Sequence, residues 1–192
     1  MSYQTYITEA LVCGSFDHNT ADRNYLLFTK EAGMLYASAR SVREEKSKQR
    51  YALQDFSLIT VSLVKGKTGW RIGSVEACDN FFLKADSREA RGSVVSIFKL
   101  LRRLVQGEEA VPEIFDFCRE GFLLVSREVA DRAVVDTLFK LKLLSLLGYV
   151  DEQSLPPDFK HWSWVKILAE QGNFSAVSNQ VLIEKGIANS HL

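Results

Sequence analysis

The spacing of apolar residues changes once along this chain, and that change constrains the fold more than any other feature. Up to about residue 82, apolar residues recur at every second position in short runs separated by turns. From residue 87 onward they recur every three or four positions. The first period is typical of strands with one buried face, and the second is typical of amphipathic helices. We therefore expect strands followed by helices, which is the α+β class.

The first part contains five segments rich in β-branched and aromatic residues. They are residues 6–12, 23–29, 34–40, 56–64 and 70–77. Glycine lies in two of the connecting turns, at Gly33 and in the run Lys65-Gly-Lys-Thr-Gly. Because five antiparallel strands in about 80 residues would otherwise leave two open edges, a small closed barrel is expected. The sequence predicts a five-stranded barrel of the oligonucleotide-binding (OB) type, with helices only after it.

The second part predicts helices from their caps and breakers. Asp86 or Ser87 is the expected N-cap of a first helix that ends before Gly107, and Pro112 fits the first turn of a second. A third, apolar on most faces, ends at Gly148. Two more are expected near residues 162–169 and 176–184. The predicted domains are an OB barrel at residues 1–82 and an all-helical domain at residues 83–192.

Positive charge is concentrated in the predicted barrel. The chain carries 24 Lys and Arg against 24 Asp and Glu, so its net charge is zero. Residues 30–71, however, contain nine cations and four anions, which leaves +5. Any attraction to a negatively charged partner must therefore be local.

A cationic segment at residues 40–50, here called the basic loop, contains much of this excess. It holds Arg40, Arg43, Lys46, Lys48 and Arg50 against two glutamates. A turn between strands favours Gly, Asn or Pro instead of five cations. Such a charge run is either a solvated loop or a surface that binds something negative.

A second cationic turn and several aromatic residues lie near the basic loop in sequence. The turn contributes Lys65, Lys67 and Arg71, and the candidate stacking residues are Tyr36, Tyr51 and Trp70. Cations for phosphates and aromatic rings for bases are the combination used by proteins that bind single strands without sequence preference. We interpret these residues together as a candidate DNA-binding surface.

Other classes of function are not supported. The cysteines, Cys13, Cys78 and Cys118, have no spacing that suits a zinc site or a disulfide framework, so no metal is expected. We find no targeting signal, membrane span or phosphate-binding loop in the sequence, and expect a cytoplasmic, nucleoid-associated protein. Ser15, Asp17 and His18 lie too close together to align as a catalytic triad, so we do not expect an enzyme.

Several ordered motifs resemble one bacterial family. The runs ADRNYLLFTKEAG, ASAR, KSKQRYALQDFS, VKGKTGW and SVEA are similar to the N-terminal barrel of the recombination-mediator family RecO. The later run LFKLKLLSLLGYVDE is similar to the centre of that family's helical domain. Many members carry a Cys-rich zinc module inserted late in the chain, and this sequence has no such cysteines.

The resemblance implies a function in DNA repair and homologous recombination. It implies binding of single- and double-stranded DNA, annealing of complementary strands, and help for the recombinase RecA on DNA coated by single-strand-binding protein, usually with RecR. It offers no catalytic residues to transfer. It also suggests a groove for the acidic tail of single-strand-binding protein, for which the helical cations are candidates: Arg102, Arg103, Arg132, Lys140 and Lys142.

Two alternatives remain from the sequence. The alkyl stems of the helical cations could instead pack beside the apolar faces of the helices and leave the charged groups in water, as long basic side chains often do. The whole chain could be an adaptor that joins an OB barrel to helices and binds only protein, with its basic loop serving solubility.

Overall fold

Five strands close into a barrel in the first part of the computed structural model, which describes residues 5–17, 19–127, 129, 131–173 and 176–190. Their order around the barrel is β1-β2-β3-β5-β4. The strands are β1 (Thr5–Asp17), β2 (Arg23–Thr29), β3 (Gly33–Ala39), β4 (Ser57–Gly66) and β5 (Gly69–Asn80). Helices follow, so the predicted α+β class with an N-terminal five-stranded barrel is confirmed.

The length of β1 allows the barrel to close. Its first half pairs with β4, from Thr5 opposite Val64, and its second half pairs with β2, through to Asp17 opposite Arg23. A register shift lies between Val12 and Gly14. Such a bulge bends and twists a strand, which lets one strand belong to both sides of a small barrel.

One strand pair of the barrel is parallel, which corrects the expectation of five antiparallel strands. Ala37 pairs with Trp70 and Ser38 with Arg71 in parallel between β3 and β5. The reason is geometric: strand directions cannot alternate all the way around a closed ring with an odd number of strands. The other four pairs are antiparallel.

Alternate residues of the strands fill the barrel. Leu27, Ile59, Val61 and Leu63 are fully buried there, which is worth about 1.5–3 kcal/mol for each aliphatic side chain. Trp70 belongs to the same core. Because alternate residues of a strand point into the barrel, apolar residues recur at every second position in the sequence.

A single helical turn, α1 (Gln49–Ala52), begins at the end of the basic loop. The expectation that helices occur only after residue 82 is therefore wrong. Ala52 and Leu53 are buried at the end of this turn, and Val42 is buried at the start of the loop. These buried apolar residues anchor the two ends of a segment whose charges alone suggest a solvated loop.

The second part of the chain is helical. Its α-helices are α2 (Arg88–Leu104), α3 (Pro112–Val125), α4 (Arg132–Leu146), α5 (Trp164–Glu170) and α6 (Ala176–Asn189). Short 3-10 helices lie at Glu152–Ser154, Phe159–His161 and Gln171–Asn173. In the described part of the chain, no helix has the length and apolar character needed to cross a membrane.

Capping residues set several helix ends. The Ser87 hydroxyl accepts a hydrogen bond of 3.0 Å from the Ala90 amide, so Ser87 begins α2. Asp131 accepts from the Val134 amide at the start of α4. After α4, Gly148 adopts a φ of +77°, a left-handed conformation that favours glycine.

The chain folds into two units. One, here called the barrel unit, contains Met1–Lys84 and Val105–Phe115, and the other contains Ala85–Leu104 and Asp116–Leu192. The segment between α2 and α3 therefore belongs to the barrel unit. The predicted division of the protein into functional domains at residue 82 stays a prediction.

Candidate nucleic-acid interface

The basic loop is fixed at several points along its length. The Ser41 amide donates to the Asp22 carboxylate at 2.8 Å, and the Gln49 side-chain amide donates to the Gly73 carbonyl at 2.7 Å. Together with the buried Val42 and Leu53, these bonds limit the positions that its cations can adopt. A charged surface with few conformations loses less entropy when it binds a ligand.

The five loop cations are all exposed, but they differ in what they contact. Arg43 donates to the Asn19 carbonyl at 2.8 Å and lies 3.6 Å from the Asp17 carboxylate, so it also ties the loop to the β1–β2 connection. Within the described residues, Arg40, Lys46 and Lys48 have no side-chain ion pair. Their charges are therefore available to an external anion.

Arg50 and Tyr51 form a pair on α1. The Arg50 guanidinium donates to the Tyr51 hydroxyl at 3.0 Å and lies 5.1 Å from the centre of the ring. The Tyr51 side chain is nevertheless 64% exposed. The pair thus presents a cation and an aromatic ring together at the surface, which suits contact with a phosphate and a base.

Two further aromatic rings lie side by side on the outside of the barrel. Tyr36 on β3 is 62% exposed, and its ring centre lies 6.1 Å from that of Phe16 on β1, which is 43% exposed. Tyr36 was a sequence-predicted site residue, whereas Phe16 was missed. The bulge after Val12 shifts the alternation of β1, so simple period-two counting does not reveal the position of Phe16.

Trp70 does not share this exposure. Its side chain is only 7% exposed and packs in the barrel core, with the Tyr6 ring 5.4 Å away. A base could not stack on a ring in that position without a change in the barrel. Trp70, which the sequence predicted as a stacking residue, is therefore not part of the accessible surface.

The β4–β5 hairpin carries the remaining predicted cations of the barrel. Lys65, Lys67 and Arg71 are exposed, and the parallel pairing of Ser38 with Arg71 sets this hairpin beside the end of β3, where the basic loop begins. Lys65 is engaged by Glu108 at 2.9 Å, and the hydrogen bond from Lys65 lowers the pKa of the Glu108 carboxyl. Lys65 thus contributes less net charge to the hairpin than its sequence position suggests.

The helical cations fall into two groups. Arg132 donates to the Val125 and Arg127 carbonyls, and Lys142 is 2% exposed and donates to the Phe159 carbonyl at 2.7 Å. Both side chains therefore hold helix ends and loops in place. This contact pattern differs from the exposed, partner-binding arrangement that the sequence predicted for them.

The other helical cations are accessible. Arg102 is exposed on α2, and Arg103 and Lys140 border a cavity of about 400 Å³ between α2, α4 and α6. Lys99 lies on the same border. The cavity also has apolar lining residues, which are Val95, Leu100, Ile183 and Ile187. This cavity, here called the helical groove, therefore combines an apolar surface with three cations.

Two family models match the chain. The model described as recombination protein O N terminal matches residues 1–81, and the model described as recombination protein O C terminal matches residues 87–150. The chain belongs to the RecO family. The RecO matches agree with the secondary structure: β5 ends at Asn80, Ser87 caps α2, and the second match ends shortly after α4.

Several curated proteins named DNA repair protein RecO are similar to more than half of this chain. The chain is 31% identical over 144 residues to DNA repair protein RecO of Desulfitobacterium hafniense, which covers 75% of this chain and 52% of that protein. It is 31% identical over 150 residues to DNA repair protein RecO of Heliobacterium modesticaldum, covering 78% and 54%. The relative from Myxococcus xanthus is 29% identical over 114 residues, covering 58% and 46%. The chain spans about half the length of the curated relatives it matches.

The three cysteines do not form a metal-binding cluster in the described part of the chain. Cys13 and Cys118 are buried and Cys78 is exposed. Across the described ranges, no three His, Cys, Asp or Glu side chains are grouped so that they could hold a metal ion. Of the triad considered from sequence, Asp17 is paired with Arg23 at 2.8 Å, and His18 lies outside the described residues.

Proposed function

We propose that this RecO-family chain is a non-catalytic DNA-binding protein of DNA repair and homologous recombination. It binds single- and double-stranded DNA, anneals complementary strands, and assists loading of a recombinase onto DNA coated with single-strand-binding protein. The observation that carries the proposal is the fixed basic loop, where Lys46, Lys48 and Arg50 are exposed and Arg50 lies against the exposed Tyr51 ring. Family membership supports the same function.

The interface that we propose has a cationic part and an aromatic part. The cations are Arg40, Arg43, Lys46, Lys48, Arg50, Lys67 and Arg71, with Lys65 partly neutralised by Glu108. The rings are Tyr36, Phe16 and Tyr51. Contacts to phosphates give affinity without sequence preference, and stacking on exposed rings tolerates any base.

Annealing follows from electrostatics and needs no bond-making chemistry. Two complementary strands repel each other through their phosphates, and each strand carries counterions that are released when cations of a protein replace them. A surface that neutralises phosphates on both strands lowers this repulsion while the bases remain able to pair. The protein therefore acts by bringing strands together.

The helical groove is the proposed contact for single-strand-binding protein. Lys99, Arg103 and Lys140 would attract an acidic peptide, and the apolar lining would accept a hydrophobic end. RecR and, indirectly, RecA are further proposed partners on the basis of family membership. These partner proposals are independent of the basic loop.

A salt titration distinguishes this function from the protein-only adaptor. We expect binding of a labelled single-stranded oligonucleotide to weaken steeply with salt, with a slope of roughly −0.7 for each phosphate neutralised. A variant with Lys46, Lys48 and Arg50 changed to Glu should lose most of this binding. A control, Lys185→Glu, reverses one exposed charge on α6 in the helical part of the chain and should bind like the parent. Undetectable oligonucleotide binding by the folded parent would favour the adaptor.

A further inference from the structure

A cavity of about 420 Å³ lies beside the basic loop. Arg23, Arg50, Tyr51, Leu53 and Asp55 are among its lining residues. Its size is within the range of sites that bind small organic groups. It is formed where the end of α1 meets the strands, within the barrel unit.

One side of the cavity suits an aromatic ligand. The exposed Tyr51 ring and the Arg50 guanidinium lie against each other, and planar groups of both kinds stack on nucleobases. Leu53 is almost fully buried and adds an apolar surface. Arg23 is already paired with Asp17 at 2.8 Å, so part of its charge is neutralised.

Asp55 gives the cavity a specific acceptor. Asp55 is half-buried at the wall of the cavity, so its carboxylate can be reached from there, although its Oδ1 atom is buried and has no hydrogen-bond partner in the part of the chain that the structure describes. Its backbone carbonyl accepts from the Asn80 side-chain amide at 3.1 Å, which helps to hold the residue in place. A carboxylate at the wall of a cavity accepts a stronger hydrogen bond from an amine than a neutral acceptor does, so a ligand that supplies an amine is favoured.

The Asp55 carboxylate also acts electrostatically on the neighbouring Tyr25 hydroxyl. Burial raises the pKa of the Tyr25 hydroxyl, the nearby Arg23 charge lowers it, and the Asp55 charge raises it further. The cavity therefore has a negative region at Asp55 and a positive region at Arg50. A nucleotide, with an amine on its base and a negative phosphate, has the matching charges.

We propose that this cavity takes one unstacked nucleobase that carries an exocyclic amine, with Asp55 accepting a hydrogen bond from the amine and Tyr51 or Arg50 stacking on the ring. This inference rests on the proposed DNA binding and adds a base preference to it. Cytosine presents an amine at position 4, whereas thymine presents a carbonyl oxygen there. Two acceptors facing each other repel, so thymine is disfavoured.

Two matched oligonucleotides test the preference in the parent protein. A strand of about 12 nucleotides of 5-methylcytosine and one of thymine have the same ring and methyl group, and their length suits one OB barrel. They differ in the amine and the adjoining ring nitrogen. We expect the 5-methylcytosine strand to bind about tenfold more tightly at the same salt concentration, as one hydrogen bond to a charged acceptor allows.

Variants assign the preference to one side chain. Asp55→Asn preserves the shape but presents either a donor or an acceptor, so the affinity ratio should fall to about twofold or less, with little change in the salt slope. The control Glu45→Gln also removes one carboxylate, from an exposed position in the basic loop, and should retain the tenfold ratio. Circular dichroism checks that both variants fold.

The outcomes separate this inference from the function on which it rests. Equal, salt-sensitive binding of both strands by the parent would overturn the base preference and leave DNA binding intact. A preference that persists in Asp55→Asn would also overturn it, because the carboxylate would not be its source. Absence of binding to either strand would remove the proposed function and this inference together.

Discussion

The Lys65 ammonium lies 2.9 Å from the Glu108 carboxylate and 4.9 Å from the centre of the Trp70 ring. Glu108 belongs to the segment between α2 and α3, which is part of the barrel unit. The same segment accepts a 2.9 Å hydrogen bond at the Gly107 carbonyl from the Met34 amide. An acidic residue distant in sequence thus neutralises one cation of the proposed DNA-binding surface.

This pairing predicts that Glu108→Gln strengthens DNA binding. Removing the carboxylate leaves Lys65 available to a phosphate, so the salt slope on single strands should steepen by about 0.7. Glu109→Gln removes a neighbouring exposed carboxylate that has no ion pair within the described residues, and it is the matched control. If both variants gain affinity equally, only the general loss of negative charge matters. Fluorescence anisotropy across a salt series provides the measurement.

Charge reversal in the basic loop should weaken DNA binding without unfolding the protein. Lys46→Glu, Lys48→Glu and Arg50→Glu should each weaken binding similarly on any sequence and flatten the salt slope by about one unit or slightly less. Each should remain within about 0.5 kcal/mol of the parent in the free energy of unfolding, because these side chains are exposed. Annealing of labelled complementary strands at parental rates by the triple variant would contradict the proposed role of the loop.

Arg43→Glu should behave differently from the other loop reversals. Arg43 donates to the Asn19 carbonyl and lies near Asp17, so a glutamate loses a hydrogen bond and faces another carboxylate. We expect this variant to be about 1 kcal/mol less stable than the parent, in addition to binding DNA more weakly. Urea denaturation of Arg43→Glu beside Lys46→Glu measures the difference, and equal midpoints would disprove it.

Gly33→Ala should destabilise the barrel unit strongly. Gly33 has a φ of +66°, and an added Cβ would lie 2.6 Å from the Gly107 carbonyl oxygen and closer still to that of Glu109. We expect a loss of more than about 2 kcal/mol, because the backbone strain adds to a clash with main-chain atoms. Gly148→Ala has a similar φ of +77° but open space around the new Cβ, so it should cost only about 1 kcal/mol. Equal losses in denaturation would show that the close approach at Gly33 is unimportant.

The raised pKa of Asp136 predicts that the difference in stability between the parent and an Asp136→Asn variant depends on pH. Burial raises the pKa of its carboxyl above the usual 3.8, although the Ser93 hydroxyl, which donates at 2.5 Å, acts in the opposite direction. The folded state therefore binds this proton more tightly than the unfolded state, and the stabilisation is lost as pH rises through the folded pKa. An Asp136→Asn variant cannot ionise, so its stability relative to the parent should increase from about pH 4 to about pH 7. Thermal melts across this range test the trend, and a constant difference would argue against it.

The metal expectation can be tested directly. The cysteines lie on β1, β5 and α3, and the described residues contain no cluster of potential ligands. Elemental analysis of the purified protein should give far less than one zinc per chain, and a chelator should not change the melting temperature. A stoichiometric amount of zinc would contradict this expectation.

Local chemistry determined the elements of this protein from the sequence alone. The run Arg23–Thr29 was predicted as a strand with the bounds that β2 has, because it is a short run rich in aromatic and aliphatic residues, and its last five residues are buried. Gly148 marked one helix end and Ser87 was one of two candidate N-caps, because a side-chain acceptor and a left-handed residue satisfy the groups that helices leave unpaired. The basic loop was also evident, because its charge density is a property of neighbouring residues.

Long-range contacts decided which predicted site residues are accessible. Trp70 and Lys142 have side chains suited to a surface, yet one fills the barrel core and the other caps the Phe159 carbonyl. Phe16 reaches the surface because a bulge shifts β1, and Glu108 meets Lys65 across 43 positions of sequence. Such contacts depend on which segments, distant in sequence, come together in three dimensions. The local pattern of residues does not specify the distance between such segments in the folded chain.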